Sequence, residues 1–294
     1  MMKIAIASGK GGTGKTTVAT NLALAAAAEN ISVTYSDCDV EEPNGALFLK
    51  PETEREQNVE VRVPVFDQNK CTGCGACGRI CQFNAIAALG KNVLLFPELC
   101  HGCGGCWLVC HAGAMTPAKR TTGKLLIGRT AENIKFIQGL LNIGEAMSPP
   151  VIKAVKEAAP ESRLMLFDSP PGTSCPVIES IRDCDHVILV TEPTPFGLND
   201  LKLAVKMVKA LKLPFEVVVN RAGSGDDKTM LFCKESGIDM TEIPDSRKVA
   251  EAYSRGESAF NAVPEFRNVF TGLLNKLMTT VKMEPGCLPR EETL

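Results

Sequence analysis

Five short strand-like runs recur along the chain, at 3–8, 33–39, 163–168, 187–191 and 215–220, four of them largely apolar and one, 33–39, a strand ending in Asp-x-Asp. Runs of four to eight residues with little polar alternation read as strands buried on both faces, the pattern of a parallel sheet. Helical stretches lie between them. Lys15 to about Glu29 is alanine-rich, a segment opening at Pro149 and Pro150 leads into the third run, and the last two runs are each followed by a helix. Residues 266–281 carry apolar positions at helical spacing and read as a core helix. Strands alternating with helices predict an α/β fold whose mostly parallel sheet binds its ligand at the strands' carboxyl ends.

The middle of the chain departs from this rhythm. Pro51 to Asn58 is charged and poor in strand formers, so it reads as an exit from the sheet. Val59 to Val63 alternates as a strand, Ala85 to Phe96 reads as a hairpin, and Ala118 to Arg129 brings the chain back through a strand at Lys124–Gly128. The expected organisation is one α/β domain, 1–58 with 121–294, interrupted by an inserted α+β domain at 59–120.

Composition narrows the class. The 294 residues are 45% hydrophobic and 22% charged, ordinary for a soluble globular protein. A formal net charge of −2 offers no general pull toward nucleic acid or anionic lipid, so neither is an expected partner. No apolar run approaches the roughly 18 residues of a membrane span. No signal-like layout opens the chain, and the expected compartment is a reducing cytoplasm.

Of thirteen cysteines, eight repeat one spacing, C-x-x-C-x-x-C-x-x-x-C, at Cys71, Cys74, Cys77, Cys81 and at Cys100, Cys103, Cys106, Cys110. Zinc sites pair C-x-x-C knuckles in fours, which leaves a third cysteine and an exact repeat unexplained. Disulfides belong to secreted chains. The spacing is similar to that of bacterial two-cluster ferredoxins, and the resemblance implies two [4Fe–4S] clusters with exchanged fourth ligands. Cluster I then takes Cys71, Cys74, Cys77 and Cys110, and cluster II takes Cys100, Cys103, Cys106 and Cys81. In such ferredoxins proline follows the fourth cysteine; here Gln82 and His111 follow. His101 and His111 read as loop or supporting groups, since eight thiolates already fill two cubanes. The other five are Cys38, Cys175, Cys184, Cys233 and Cys287. Cys38, at a strand end, and Cys184, assigned to a helix, read as buried thiols.

The first apolar run leads into Gly9-Lys10-Gly11-Gly12-Thr13-Gly14-Lys15-Thr16-Thr17, which fits G-x-x-x-x-G-K-[ST] between a strand and a helix. Glycines let successive backbone N–H groups converge on phosphate, and the helix N-terminus adds its dipole. Gly9 to Thr17 form the expected nucleotide contacts, with Lys15 on the β- and γ-phosphates and Thr16 on Mg²⁺.

With a lysine at position 10 as well, this loop resembles that of the MinD/ParA/Mrp ATPases, a group that includes the nitrogenase iron protein. The resemblance covers most of the chain outside the cysteine runs. It implies an ATP-bridged homodimer, or a heterodimer with a related ATPase, in which Lys10 reaches the partner's phosphates. It makes Asp37-Cys38-Asp39 switch I, with Asp39 orienting the attacking water, and Glu41 and Glu42 loop residues. It makes 163–173 the Walker B and switch II segment, with Asp168 holding the Mg²⁺ shell through water and the Gly172 amide sensing the γ-phosphate. Asn220 falls where the family recognises the base, and Glu242–Asp245 resembles the loop closing over it. Cys175 follows switch II where the nitrogenase iron protein has a cluster-bridging cysteine, but that protein's other ligand has no clear match here. The function implied is an Mg²⁺-dependent ATPase carrying two [4Fe–4S] clusters and acting on an unknown redox or client protein. The alternatives are an iron–sulfur carrier of Mrp type, whose C-terminal C-x-x-C is missing here, and a MinD- or ParA-like spatial organiser.

Overall fold

Nine of the eleven strands among the described residues join one sheet, and the run of apolar segments explains why. The computed structural model describes residues 1–283. Its strands are β1 (Met2–Ala7), β2 (Val33–Asp37), β3 (Glu52–Phe66), β4 (Ile86–Leu89), β5 (Asn92–Leu95), β6 (Met115–Arg129), β7 (Lys135–Leu141), β8 (Leu164–Asp168), β9 (His186–Thr191), β10 (Phe215–Ala222) and β11 (Met240–Pro244). Their order in the sheet is β11-β10-β9-β1-β8-β2-β7-β6-β3. From β11 to β7 all pairings are parallel; β7–β6 and β6–β3 are antiparallel.

The central strands are buried on both faces, since successive side chains face opposite sides and both sides are covered, and most of their residues are apolar. Ile4, Ile6, Leu166 and Val190 pack under the helices Lys15–Ala28 and Pro264–Met283. Ala5, Ala7, Phe167 and Leu189 face the opposite core, with Val151 and Val155 of the helix Pro149–Ala158 and Leu201 and Val205 of Pro195–Ala210. The expected core helix near the C-terminus is present and buries Phe270, Leu274 and Leu277. No helix among the described residues is long and apolar enough to cross a membrane. Cys287 lies outside the described residues.

Two local expectations need correction. Residues 52–58 are not strand-poor: they begin β3, paired with 124–129 of β6. The charges that argued against a strand are what an edge strand carries. Glu54, Glu56 and Glu60 face Arg129, Lys124 and Lys119 at 3.9, 3.3 and 2.7 Å. Such exposed pairs contribute little stability but keep a sheet edge from pairing with other chains. The expected limits at 58/59 and 120/121 therefore fall inside strands, and the chain stands clear of the sheet between Asp67 and Ala114. Cys184 is buried as expected, but it follows the helix Cys175–Ile181 rather than lying in it.

That excursion is itself a repeat. A shift of 29 residues carries the turn Gln68–Lys70 onto Pro97–Leu99 and the helix Ala76–Ile80 onto Gly105–Leu108. The same shift carries Gly73 and Gly75 onto Gly102 and Gly104, all at positive φ, where only glycine turns without strain. The hairpin β4–β5 lies between the halves, as expected.

His186 opens β9 with its Nε2 buried and unpartnered, and burial pushes its pKa down to about 4. The unfolded chain binds that proton near the ordinary 6.5. Between those values only the unfolded state is protonated, so stability falls as pH drops from about 6.5 toward 4. The loss is about 2–3 kcal/mol. His186→Leu should flatten it in urea titrations at pH 7 and 4.5; an unchanged slope would refute the assignment.

Candidate functional site

The loop Gly9–Thr17 follows β1 directly, with Gly14 at φ 94° ahead of the helix Lys15–Ala28. A side chain at Gly14 would run into Asn220, and one at Gly9 into the backbone of Asp200. Glycine is thus required by packing as well as by phosphate approach. The Asn220 side-chain amide donates to the Thr13 carbonyl at 3.0 Å, tying the end of β10 to the phosphate loop.

Buried Lys15 lies in the field of three carboxylates. Burial lowers its pKa, while Asp168, Asp39 and Asp37 pull the other way. Asp37 is buried and accepts from the Gly45 and Asp39 amides at 2.9 and 3.2 Å. Burial, reinforced by Asp168, raises its pKa well above the carboxylate range. Asp39 is half-buried, and burial pushes its pKa up to about 6 against the pull of Lys15. Asp168 takes a 2.8 Å hydrogen bond from Tyr35 on Oδ2, leaving Oδ1 buried without a partner. Burial raises the Asp168 pKa, and the Thr16 hydroxyl, Lys15 and Tyr35 oppose the shift. A buried, orphaned carboxylate oxygen beside a threonine hydroxyl suits a hard divalent cation, so the residues fit Mg²⁺.

Two expected residues are engaged within the chain. Lys10 Nζ stands 3.7 Å from Glu192, with about a third of its side chain exposed, and Glu192 also pairs with Arg221 at 2.8 Å. The Gly172 amide donates to the Ser8 carbonyl at 3.0 Å, at the mouth of the loop. A cavity of about 260 Å³ lies alongside, lined by Thr17, Asn220, Pro244, Asp245 and Tyr253 among others. Glu242 and Ile243, expected in a loop, belong to β11, because 240–242 pair with 217–219; the strand delivers Asp245 to this cavity. Sequence reasoning passed over Tyr35 and Glu192. Their signals were a tyrosine inside an otherwise buried strand and an acid at a strand's carboxyl end.

The eight cysteines of the repeat line two cavities in crossed sets. Cys71, Cys74, Cys77 and Cys110 line one of about 310 Å³. Cys81, Cys100, Cys103 and Cys106 line the other, closed to about 20 Å³. The hairpin borders both, through Gly90 and Val93 on the first and Ile86 on the second. Backbone amides of Gly73, Gly102 and Ala114 donate to Cys71, Cys100 and Cys110 at 3.3, 3.5 and 3.2 Å. His111 borders the first cavity, and His101 stacks on Phe83 beside the second. Among the described residues, no three His, Cys, Asp or Glu side chains converge to hold a single metal ion.

A third, larger cleft of about 720 Å³ runs between the two regions. Glu41, two residues past Asp39, and Cys175, Pro176 and Glu179 of the helix Cys175–Ile181 form one side. His101 and Gly102 of the second cysteine loop, with Val61 and Arg62 of β3, border it as well.

Comparison with known proteins supports the nucleotide reading of the phosphate loop. The model of the CobQ/CobB/MinD/ParA nucleotide binding domain matches residues 4–259. An uncharacterized protein of Methanocaldococcus jannaschii is 31% identical over 94% of this chain and 97% of its own length. A Pyrococcus abyssi protein named iron-sulfur cluster carrier protein is 28% identical, over 85% of this chain and 70% of that one. The solved structure of the septum site-determining protein MinD complexed with Mg-ADP, from Pyrococcus horikoshii, aligns at TM-score 0.58 and 20% identity, covering 97% of this chain and 100% of that one. That last likeness concerns the fold.

Proposed function

The chain belongs to the CobQ/CobB/MinD/ParA nucleotide-binding family and is an ATPase of MinD/ParA type, and on that premise we propose that it couples an ATP-driven dimer switch to one-electron chemistry in an inserted two-cluster domain. What supports the coupling is the cleft bordered by Glu41, Cys175 and His101–Gly102. Switch loops move between nucleotide states, so residues on that wall change their distance from the second cysteine loop.

In this reading Lys15 neutralises the β- and γ-phosphates from beneath the loop. Tyr35 holds Asp168 in one orientation, and Asp168 and Thr16 hold Mg²⁺, which when bound offsets charge on the transferring phosphoryl group. Asp39, ionised at neutral pH, orients the attacking water. Lys10 leaves Glu192 to reach the phosphates of the partner subunit, and the Gly172 amide leaves Ser8 for the γ-phosphate. Each move exchanges one hydrogen bond or ion pair for another, so the switch costs little and remains reversible.

The crossed cysteine sets fit [4Fe–4S] clusters. A cubane is held at its four iron corners, so its thiolates stand around a cavity instead of meeting at a point. Amide donors on the sulfurs tune the potential, and the clusters when bound supply one-electron transfer. The tighter second cavity requires its thiols to part on loading.

The decisive measurement is the midpoint potential of each cluster by EPR without nucleotide, with ADP and with a non-hydrolysable ATP analogue. At least one potential should shift with nucleotide. Identical values in all three states would separate the ATPase from the clusters and sink the coupling. The carrier reading draws support from the Pyrococcus relative's name. It is tested by mixing loaded protein with an apo-acceptor, where ATP-stimulated transfer of iron would favour it.

A further inference from the structure

The two halves of the cysteine repeat differ in charge, and the difference identifies a docking face. Cys74 is exposed, and a basic residue lies beside the glycine on either side of it. Arg79 donates to the Cys74 carbonyl at 2.9 Å and lies against Gly75. Lys91, at the tip of the β4–β5 hairpin, packs on Gly73. Among the described residues neither cation has an acidic partner. Lys70, at the start of the same loop, is paired with Asp67 at 3.5 Å.

The 29-residue shift carries Arg79 onto Leu108 and Lys91 onto Arg120. Leu108 is uncharged, and Arg120 is committed to Glu145, whose carboxylate is almost fully buried. The second loop, moreover, borders the cleft shared with the switches. Within the repeat itself, unpaired positive charge therefore sits on the first loop, while Arg62 of β3 borders the cleft beside the second. Interface electrostatics of this kind steer oppositely charged partners and orient them at contact.

We propose that the face formed by Cys74, Arg79 and Lys91 docks a small acidic one-electron carrier protein. This rests on the cluster reading above. One electron leaves the reduced carrier, which is oxidised by one unit, and reduces the centre held at Cys74 by one; no bond breaks and no proton moves.

The test is stopped-flow reduction of the iron-loaded protein by an acidic flavodoxin, with the methyl viologen radical cation as comparison. At low ionic strength Arg79→Glu with Lys91→Glu should lower the second-order rate roughly ten- to a hundredfold. The difference should vanish near 1 M salt, where the Debye length is about 3 Å. Reduction by the viologen cation should not slow. Lys91→Glu alone, which leaves the Arg79–Cys74 hydrogen bond intact, should give part of the loss with iron content and EPR spectrum unchanged. Lys206→Glu with Lys209→Glu, an equal charge change on the helix Pro195–Ala210, should leave the rate near wild type. Equal flavodoxin rates and salt slopes in an iron-replete Arg79/Lys91 variant would overturn the docking face alone, as would an equal loss in the Lys206/Lys209 variant. An iron-free wild-type protein would overturn the cluster reading, and the docking face with it.

Discussion

Lys15→Ala should abolish nucleotide binding, whereas Asp39→Ala should bind ATP normally and stop turning it over. The two substitutions touch neighbouring charges, yet they act at different stages. Lys15 is the buried cation among Asp37, Asp39 and Asp168. Removing it leaves three carboxylates facing the incoming phosphates with nothing to offset their repulsion. Asp39 is the more exposed of those acids, and its loss relieves repulsion while deleting the group that holds the water. Turnover should fall by about 10²–10⁴-fold, the usual contribution of a positioned base. The wild type carries its own signature, because Asp39 is protonated below about pH 6. The ionised form is the active one, so kcat/KM should decline as pH falls through 6, and Asp39→Asn should lose both the activity and that inflection. Calorimetric ATP titration beside phosphate release separates the two outcomes. Undiminished hydrolysis by Asp39→Ala would remove the residue from the mechanism.

The ATPase half was legible because its signals are local. A glycine loop between a strand and a helix needs no tertiary information, and neither does a buried apolar run ending in Asp168. What escaped was decided by partners distant in sequence. Glu52 to Asn58 looked unlike a strand until Lys124 and Arg129 across the edge explained its charges. Tyr35 showed only as a buried aromatic, and its role depends on Asp168, 133 residues later. Lys10 was expected to act on a partner subunit, and nothing local announced that Glu192 holds it within its own chain. The cysteines fall between these cases: spacing and resemblance named the two sets, while the strands that carry them, β3 and β6, turned out to extend the sheet itself.

Loss of Cys110 should cost the same cluster as loss of Cys71, although the two residues belong to different runs. Cys110 lines the cavity of Cys71, Cys74 and Cys77, and Cys81 lines that of Cys100, Cys103 and Cys106. If each run held its own cluster, Cys71→Ala and Cys110→Ala would damage different ones. Double substitution separates the two schemes. Wild type should carry about eight irons per chain as two cubanes, and each single variant about four. Under crossed ligation Cys71→Ala with Cys110→Ala also retains about four, and its EPR spectrum matches that of either single variant. Cys71→Ala with Cys81→Ala should instead retain none. Local ligation reverses both results, so iron analysis of the two double variants decides between them. Cys175→Ala serves as the control, since that exposed thiol borders the switch cleft and neither thiol-lined cavity. It should keep both clusters, and loss of iron there would assign Cys175 a ligand role that these cavities do not provide.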